Sequence, residues 1–214
     1  MKSALLCLLL AAPLNGASIL IDFGTVATPG SGPTWNNFTS LSDLTSYSLV
    51  DTNNAATGYA ITLSGGAVNS LADNPTTTTA TYSPFTPTTV IQDTFFQNAA
   101  RTFTLSNFNP AVTYNITFYS YVNRDTTRST NFSIPGYTTL TLEPSGNPIA
   151  NSSGGQVGTI SSISPDSGGN IAVTVTNNAG NWILSGMEIT YTVPEPSSIL
   201  LCTLGLIPLL RRRR

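Results

Sequence analysis

The residues of this chain that could do chemistry fall into three groups. The first is Trp35-Asn36-Asn37, an indole beside two amides. An aromatic face stacks on the C–H face of a sugar while amides meet its hydroxyls, the mixture of apolar lining and a few placed polar groups that ligand sites use. The competing reading is a tryptophan that covers the end of the core, with the amides holding a loop. The second group is Arg124, Asp125 and Arg128, the densest charge cluster away from the two chain ends. A guanidinium fork grips vicinal hydroxyls or a uronic carboxylate. Equally, Arg and Asp could close their own loop as an exposed pair, worth under about 1 kcal/mol. The third group is the carboxylates Asp22, Asp93, Glu143 and Glu188. A glycosidase needs two carboxylates roughly 5–10 Å apart across a cleft, and no spacing in the sequence sets any two of these together. Asp22, beside Phe23-Gly24 at a strand end, reads as a turn residue that accepts bonds from backbone N–H groups. Glu188 alternates with Met187 and Ile189, which puts it on the outward face of the last strand. The candidate ligand-binding residues are therefore Trp35, Asn37 and Arg128, expected in loops at one end of the fold. No catalytic residue, metal ligand or cofactor is assigned.

Composition narrows the chemistry further. The 214-residue chain has no histidine, and its two cysteines, Cys7 and Cys202, stand in apolar segments near the ends. Those absences remove the Cys/His zinc sites, the Ser-His-Asp triad and the Cys-His pair. Between residues 18 and 193 there are nine acidic residues against three basic ones (Arg101, Arg124, Arg128), a net charge of six negative. A nucleic-acid partner would need the opposite balance, because phosphates must be neutralised by Lys and Arg. Asn37, Asn115, Asn131 and Asn151 each open an Asn-X-Ser/Thr triplet. In a chain this rich in Asn, Ser and Thr such triplets arise by chance and carry no weight.

The elements that must position these residues read as strands. Short β-branched and aromatic runs sit between turn clusters at 18–24, 58–64, 101–106, 112–122, 137–142, 156–161, 170–176 and 182–192. Alternation sets Phe103 and Leu105 on one face of their strand. It turns Tyr114, Ile116 and Phe118 inward and Asn115, Thr117 and Tyr119 outward, and it marks Ile171, Val173 and Val175 as buried. Residues 40–46 offer one short helix capped by Ser40. Thr76 to Thr79, among Pro75, Pro84 and Pro87, form a polar loop or edge. Many short strands with turn signals predict a single all-β sandwich over 18–192.

The ends carry addresses. MKSALLCLLLAAPLNGAS has a positive Lys2, an apolar run and small residues at Gly16, Ala17 and Ser18. That is the layout of a secretory signal peptide over 1–17. At the other end, VPEPSSILLCTLGLIPLLRRRR places four of the chain's eight basic residues in its last four positions. As a helix, 193–210 spans about 27 Å at 1.5 Å per residue, just short of the roughly 20 apolar residues of a full span. Pro208 would kink its last turns. Arg211, Arg212, Arg213 and Arg214 would hold at an anionic cytoplasmic face, as a membrane stop.

Two resemblances follow from these residues. Pro194-Glu195-Pro196, the apolar helix and the arginine end resemble the PEP-CTERM sorting signal over 193–214. The resemblance implies a bacterium that makes exopolysaccharide, transient membrane anchoring, and processing near the motif by exosortase, a membrane protease, after passage through the secretion machinery. The body is similar to secreted bacterial galactose-binding-like jelly-roll domains. The similarity is carried by Asp22-Phe23-Gly24 with Trp35-Asn36-Asn37, and by RTFTLSNFNPAVTYNITFYSYVNRDTTRSTNFSIPG with its turn at Asn107-Phe108-Asn109-Pro110. It is carried also by IAVTVTNNAGNWILSGMEIT. It implies a jelly-roll sandwich whose loops at one end bind carbohydrate.

The expectation is an exported, surface-sorted, non-catalytic envelope or extracellular-matrix protein that binds polysaccharide. Its alternatives are a purely structural matrix protein and a small glycan-active hydrolase or lyase. Two carboxylates facing one cleft would favour the hydrolase. An open groove exposing Trp35 and Arg128 together would favour the binding module. A smooth polar surface with Trp35 buried would favour the scaffold.

Overall fold

The computed structural model describes residues 18–25, 34–39, 46–64, 66–71, 94–122, 128–143 and 157–191. The signal-peptide segment, nearly all of the short helix expected at 40–46, the Thr76 to Thr79 loop and the sorting tail lie outside the described residues.

The described chain is all β. Its strands are β1 (Ile19–Phe23), β2 (Trp35–Phe38), β3 (Tyr47–Val50), β4 (Ala56–Ser64), β5 (Asn69–Leu71), β6 (Thr94–Gln97) and β7 (Arg101–Ser106). They continue as β8 (Tyr114–Tyr119), β9 (Ser129–Ser133), β10 (Leu140–Leu142), β11 (Val157–Ile163), β12 (Ile171–Ala179), β13 (Trp182–Leu184) and β14 (Gly186–Tyr191). A five-stranded sheet runs in the order β11-β8-β14-β1-β2 and a six-stranded sheet in the order β10-β9-β12-β7-β4-β3. A small third sheet, β13-β6-β5, completes the set. Pairings are antiparallel except β1 with β2, which run parallel.

Side-chain alternation explains the layers. Ile19, Ile21, Ile116, Phe118, Met187 and Ile189 from the five-stranded sheet share one core with Phe103, Leu105, Phe132, Val173 and Val175 from the six-stranded sheet. The two sheets are therefore packed face to face, as in a sandwich. Phe118 of one stacks on Phe132 of the other with ring centroids 4.3 Å apart. Phe23 meets Phe103 edge to face at 5.5 Å. The inward sets read from β7, β8 and β12 are all buried.

Tight turns need residues that accept a left-handed backbone. Asn107 does so at φ 67°, and its Nδ2 donates to Gly58 O at 3.2 Å, so the 107–110 turn is tied to β4. Gly169 sits at φ 76°, where a Cβ would fall 2.5 Å from the Phe108 carbonyl oxygen, so only glycine fits beneath that turn.

Three local expectations are revised. The expected strand at 182–192 breaks at Ser185, because β13 leaves for the small sheet, pairing with β6, while β14 joins the five-stranded sheet. The strand expected at 137–142 is only Leu140–Leu142, because Gly136, at φ 85°, and the turn after it occupy the preceding residues. Ser129–Ser133, absent from the expected strands, is β9, paired on both sides.

Candidate functional site

Trp35 and Asn37 lie on the edge strand β2 rather than in a loop. Leu20 pairs with Trp35 and Asp22 with Asn37, so both candidate side chains share the outer face of the five-stranded sheet with Leu20 and Asp22. Following the register across the sheet gives two rows on that face. One row is Val157, Tyr119, Gly186, Asp22 and Asn37. The next is Thr159, Thr117, Glu188, Leu20 and Trp35.

The β1–β2 part of this face is covered around Leu20, Asp22 and Trp35, while Thr159 at its other edge is exposed. Trp35 is only 7% exposed and packs in a second apolar cluster with Leu20, Tyr119 and Tyr121, against which Val157 rests. The rings of Tyr119 and Tyr121 are stacked, with centroids 6.5 Å apart. Burial pushes the Tyr121 phenol above its ordinary pKa, so it stays protonated. Trp35 is therefore a packing residue, not an exposed platform for a sugar ring.

The amide that works hardest is Asn36, the neighbour of the residue singled out. It is turned inward, 2% exposed, at the seam where β2 meets β3. Its Nδ2 donates to Leu20 O and to Val50 O, each at 2.9 Å, and its Oδ1 accepts from Val50 N at 2.9 Å. Asn36 thus joins β1 of one sheet to β3 of the other. Asn37 is half-buried, with Nδ2 3.4 Å from Trp35 O. The reading in which the amides hold local structure is the one realised.

Arg128 immediately precedes β9, whose first residue pairs with Ala179. It is half-buried. Ser120 Oγ donates to Ile183 O at 2.6 Å and Ile183 N donates to Thr130 Oγ1 at 2.9 Å, so the start of β9 lies at the end of the sandwich where β8 finishes. Arg128 thus enters the six-stranded sheet, whereas Trp35 and Asn37 belong to the outer face of the other. Arg124, Asp125 and Asp93 lie outside the described residues.

Of the carboxylates, Glu143 is exposed just after β10. Asp22 and Glu188 share the outer face as diagonal neighbours on antiparallel strands, a separation of about 7–8 Å. Asp22 is 1% exposed. Burial raises the Glu188 carboxyl above its ordinary pKa, and a hydrogen bond with Ser18 opposes that shift. Sequence reasoning put Glu188 outward correctly but did not connect it with Asp22. The signal was available once both strands were drawn antiparallel with Ile19 opposite Ile189. Among the described residues there is no group of three or more His, Cys, Asp and Glu that could hold a metal ion. Nor, among them, is any helix long and apolar enough to cross a membrane.

No family model matches the chain, and no curated protein matches it. Solved structures do. The ANXUR1 extracellular domain from Arabidopsis thaliana is 15% identical with a TM-score of 0.51, over 84% of this chain and 49% of that one. A calcium binding mutant of Bacteroides uniformis beta-glucuronidase 2 is 15% identical with a TM-score of 0.46, over 84% of this chain and 18% of that one. TmCBM61 in complex with beta-1,4-galactotriose is 15% identical with a TM-score of 0.31, over 64% of this chain and 85% of that one. The chain thus spans about half of the plant ectodomain and under a fifth of the glucuronidase. At 15% identity the likeness to the ANXUR1 domain is one of fold, the two-sheet sandwich.

Proposed function

We propose that this protein is an exported, surface-sorted, non-catalytic component of a bacterial cell envelope or extracellular matrix, and that its sandwich is a structural body in contact with exopolysaccharide. The address rests on the sequence. The signal-peptide layout at 1–17 sends the chain out. The apolar run and the arginines 211–214 hold it in the membrane, and Pro194-Glu195-Pro196 presents it to an exosortase-type protease. The observation that supports the non-catalytic part is the burial of Trp35 and Asp22 on the outer face of the five-stranded sheet. Trp35 and Asp22 are enclosed there, so the residues with the most chemistry hold the fold together. The buried Trp35 also favours a scaffold over a sugar pocket built from Trp35, Asn37 and Arg128.

One observation favours a glycan-active hydrolase or lyase, namely the shared face of Asp22 and Glu188. Incubating the purified protein with neutral and acidic polysaccharides and assaying new reducing ends and unsaturated products decides between the readings. The expected result is no product above the blank. Product that disappears in Glu188→Gln would replace this reading with the enzymatic one.

A further inference from the structure

The two sheets each end in a strand on the same side of the sandwich, β10 for the six-stranded sheet and β11 for the five-stranded one. Between these edges runs a groove open to solvent. At one end Leu140 and Leu142 rest on the bare backbone of Gly158, where a Cβ would lie 2.6 Å from Leu140 Cδ1. At the other end the Tyr137 hydroxyl spans the gap, accepting from Ser164 N at 2.7 Å and donating to Ser162 O at 3.3 Å. The cavity between them holds about 300 Å³. Leu140, half-buried, and Ile160, buried, are its apolar members, while the exposed Thr138, Thr139, Thr159 and Ser161 bring four hydroxyls. Tyr137 supplies an aromatic ring whose position is fixed by its two hydrogen bonds.

The backbone here is bent away from regularity. The pairing of β11 with β8 shifts register between Ile160 and Ile163, and Ser162 sits at φ 58°, a conformation unfavourable for any residue with a Cβ. Asn115 Oδ1 holds it by accepting from Ser162 N at 2.9 Å, and Tyr137 holds it from the other sheet. A bulge of this kind takes one residue off the ladder and re-aims its side chain, a device found beside binding sites, where local strain collects. It also interrupts the row of N–H and C=O groups that an added peptide strand would pair with.

We infer that this groove is a binding site for a short stretch of neutral polysaccharide, an inference that rests on reading the protein as a matrix component. A length of roughly 13 Å, four residues of strand, accommodates a short run of sugar rings. The tyrosine ring and the aliphatic members meet the C–H faces, and the Thr and Ser hydroxyls meet those of the sugar. None of the described residues lining the groove is charged, so a uronic carboxylate has no partner there. Hydroxyl pairs continue outward on both sides: Thr117 with Thr159 at 2.8 Å, and Ser133 with Thr139 at 3.2 Å.

Affinity electrophoresis of the full chain in mild detergent tests this, in gels containing a neutral β-glucan, a galactomannan or polygalacturonate. Retardation is expected in at least one neutral gel and not in polygalacturonate. Tyr137→Ala should weaken it about tenfold or more, the loss of one good stacking contact. Because Tyr137 also braces the bulge, Ser161→Glu is the second variant. It fills and charges the groove from an exposed position, and should abolish retardation while leaving the melting temperature unchanged. Retardation that survives Ser161→Glu overturns the groove and leaves the matrix reading standing. Absence of retardation in both neutral gels overturns the groove too, while export and C-terminal processing, measured separately, decide the reading beneath it.

Discussion

Phe118→Ala should destabilise the sandwich by about 3–5 kcal/mol, while Thr117→Ala beside it should cost under about 1 kcal/mol. The two residues are neighbours on the same strand and differ in which face they serve. Phe118 is fully buried between the sheets and stacks on Phe132 at 4.3 Å, so truncating it removes transfer energy and leaves a cavity that a close-packed interior closes only in part. Thr117 faces outward, half-buried, and its hydroxyl pairs with Thr159 at 2.8 Å, a contact that water can replace. Urea or guanidinium titration of the two variants measures the difference. Equal small effects would mean that the inward face of β8 is not the core.

Trp35→Ala should also be costly, about 3 kcal/mol or more. The sequence left Trp35 open between a sugar platform and a cover for the core, and its burial favours the cover. With 7% of its surface exposed, the indole covers Leu20, Tyr119 and Tyr121 on the outer face of the five-stranded sheet. Its loss would open that cluster to water and leave Tyr119 and Tyr121 partly unsupported. Trp35→Phe should recover most of the loss, since it keeps an aromatic body in the site. A Trp35→Ala variant that melts with the wild type would return the residue to the surface and revive the binding platform.

The parts legible in the sequence were those with strict period-two patterning. RTFTLS, YNITFY and IAVTVT alternate without interruption, and their inward sets match the core. β2 was not legible because WNNF is four residues long, carries two asparagines, which strands disfavour, and pairs in parallel with β1 across a connection that leaves no local signal. β9 was hidden for a similar reason: STNFS offers Phe132 as its one large apolar residue, and its strand character comes from having β10 on one side and β12 on the other. The candidate site shows the same limit. Trp35 and Asn37 stand two apart, the spacing of one strand face, but that spacing has meaning only once the segment is known to be a strand. The groove left a trace that alternation could have caught. Ile160 and Ile163 both serve the core though three residues apart, which a regular strand forbids and a bulge requires.

The central claim is that the chain is exported and trimmed at its C-terminal signal. Mass spectrometry of the protein recovered from the cell surface and medium tests it most directly. The expected mature chain begins near residues 16–18 and ends close to Pro194-Glu195-Pro196, without Arg211 to Arg214. A surface pool that keeps the four arginines, or a chain found only inside the cell with its first residues intact, would contradict the account.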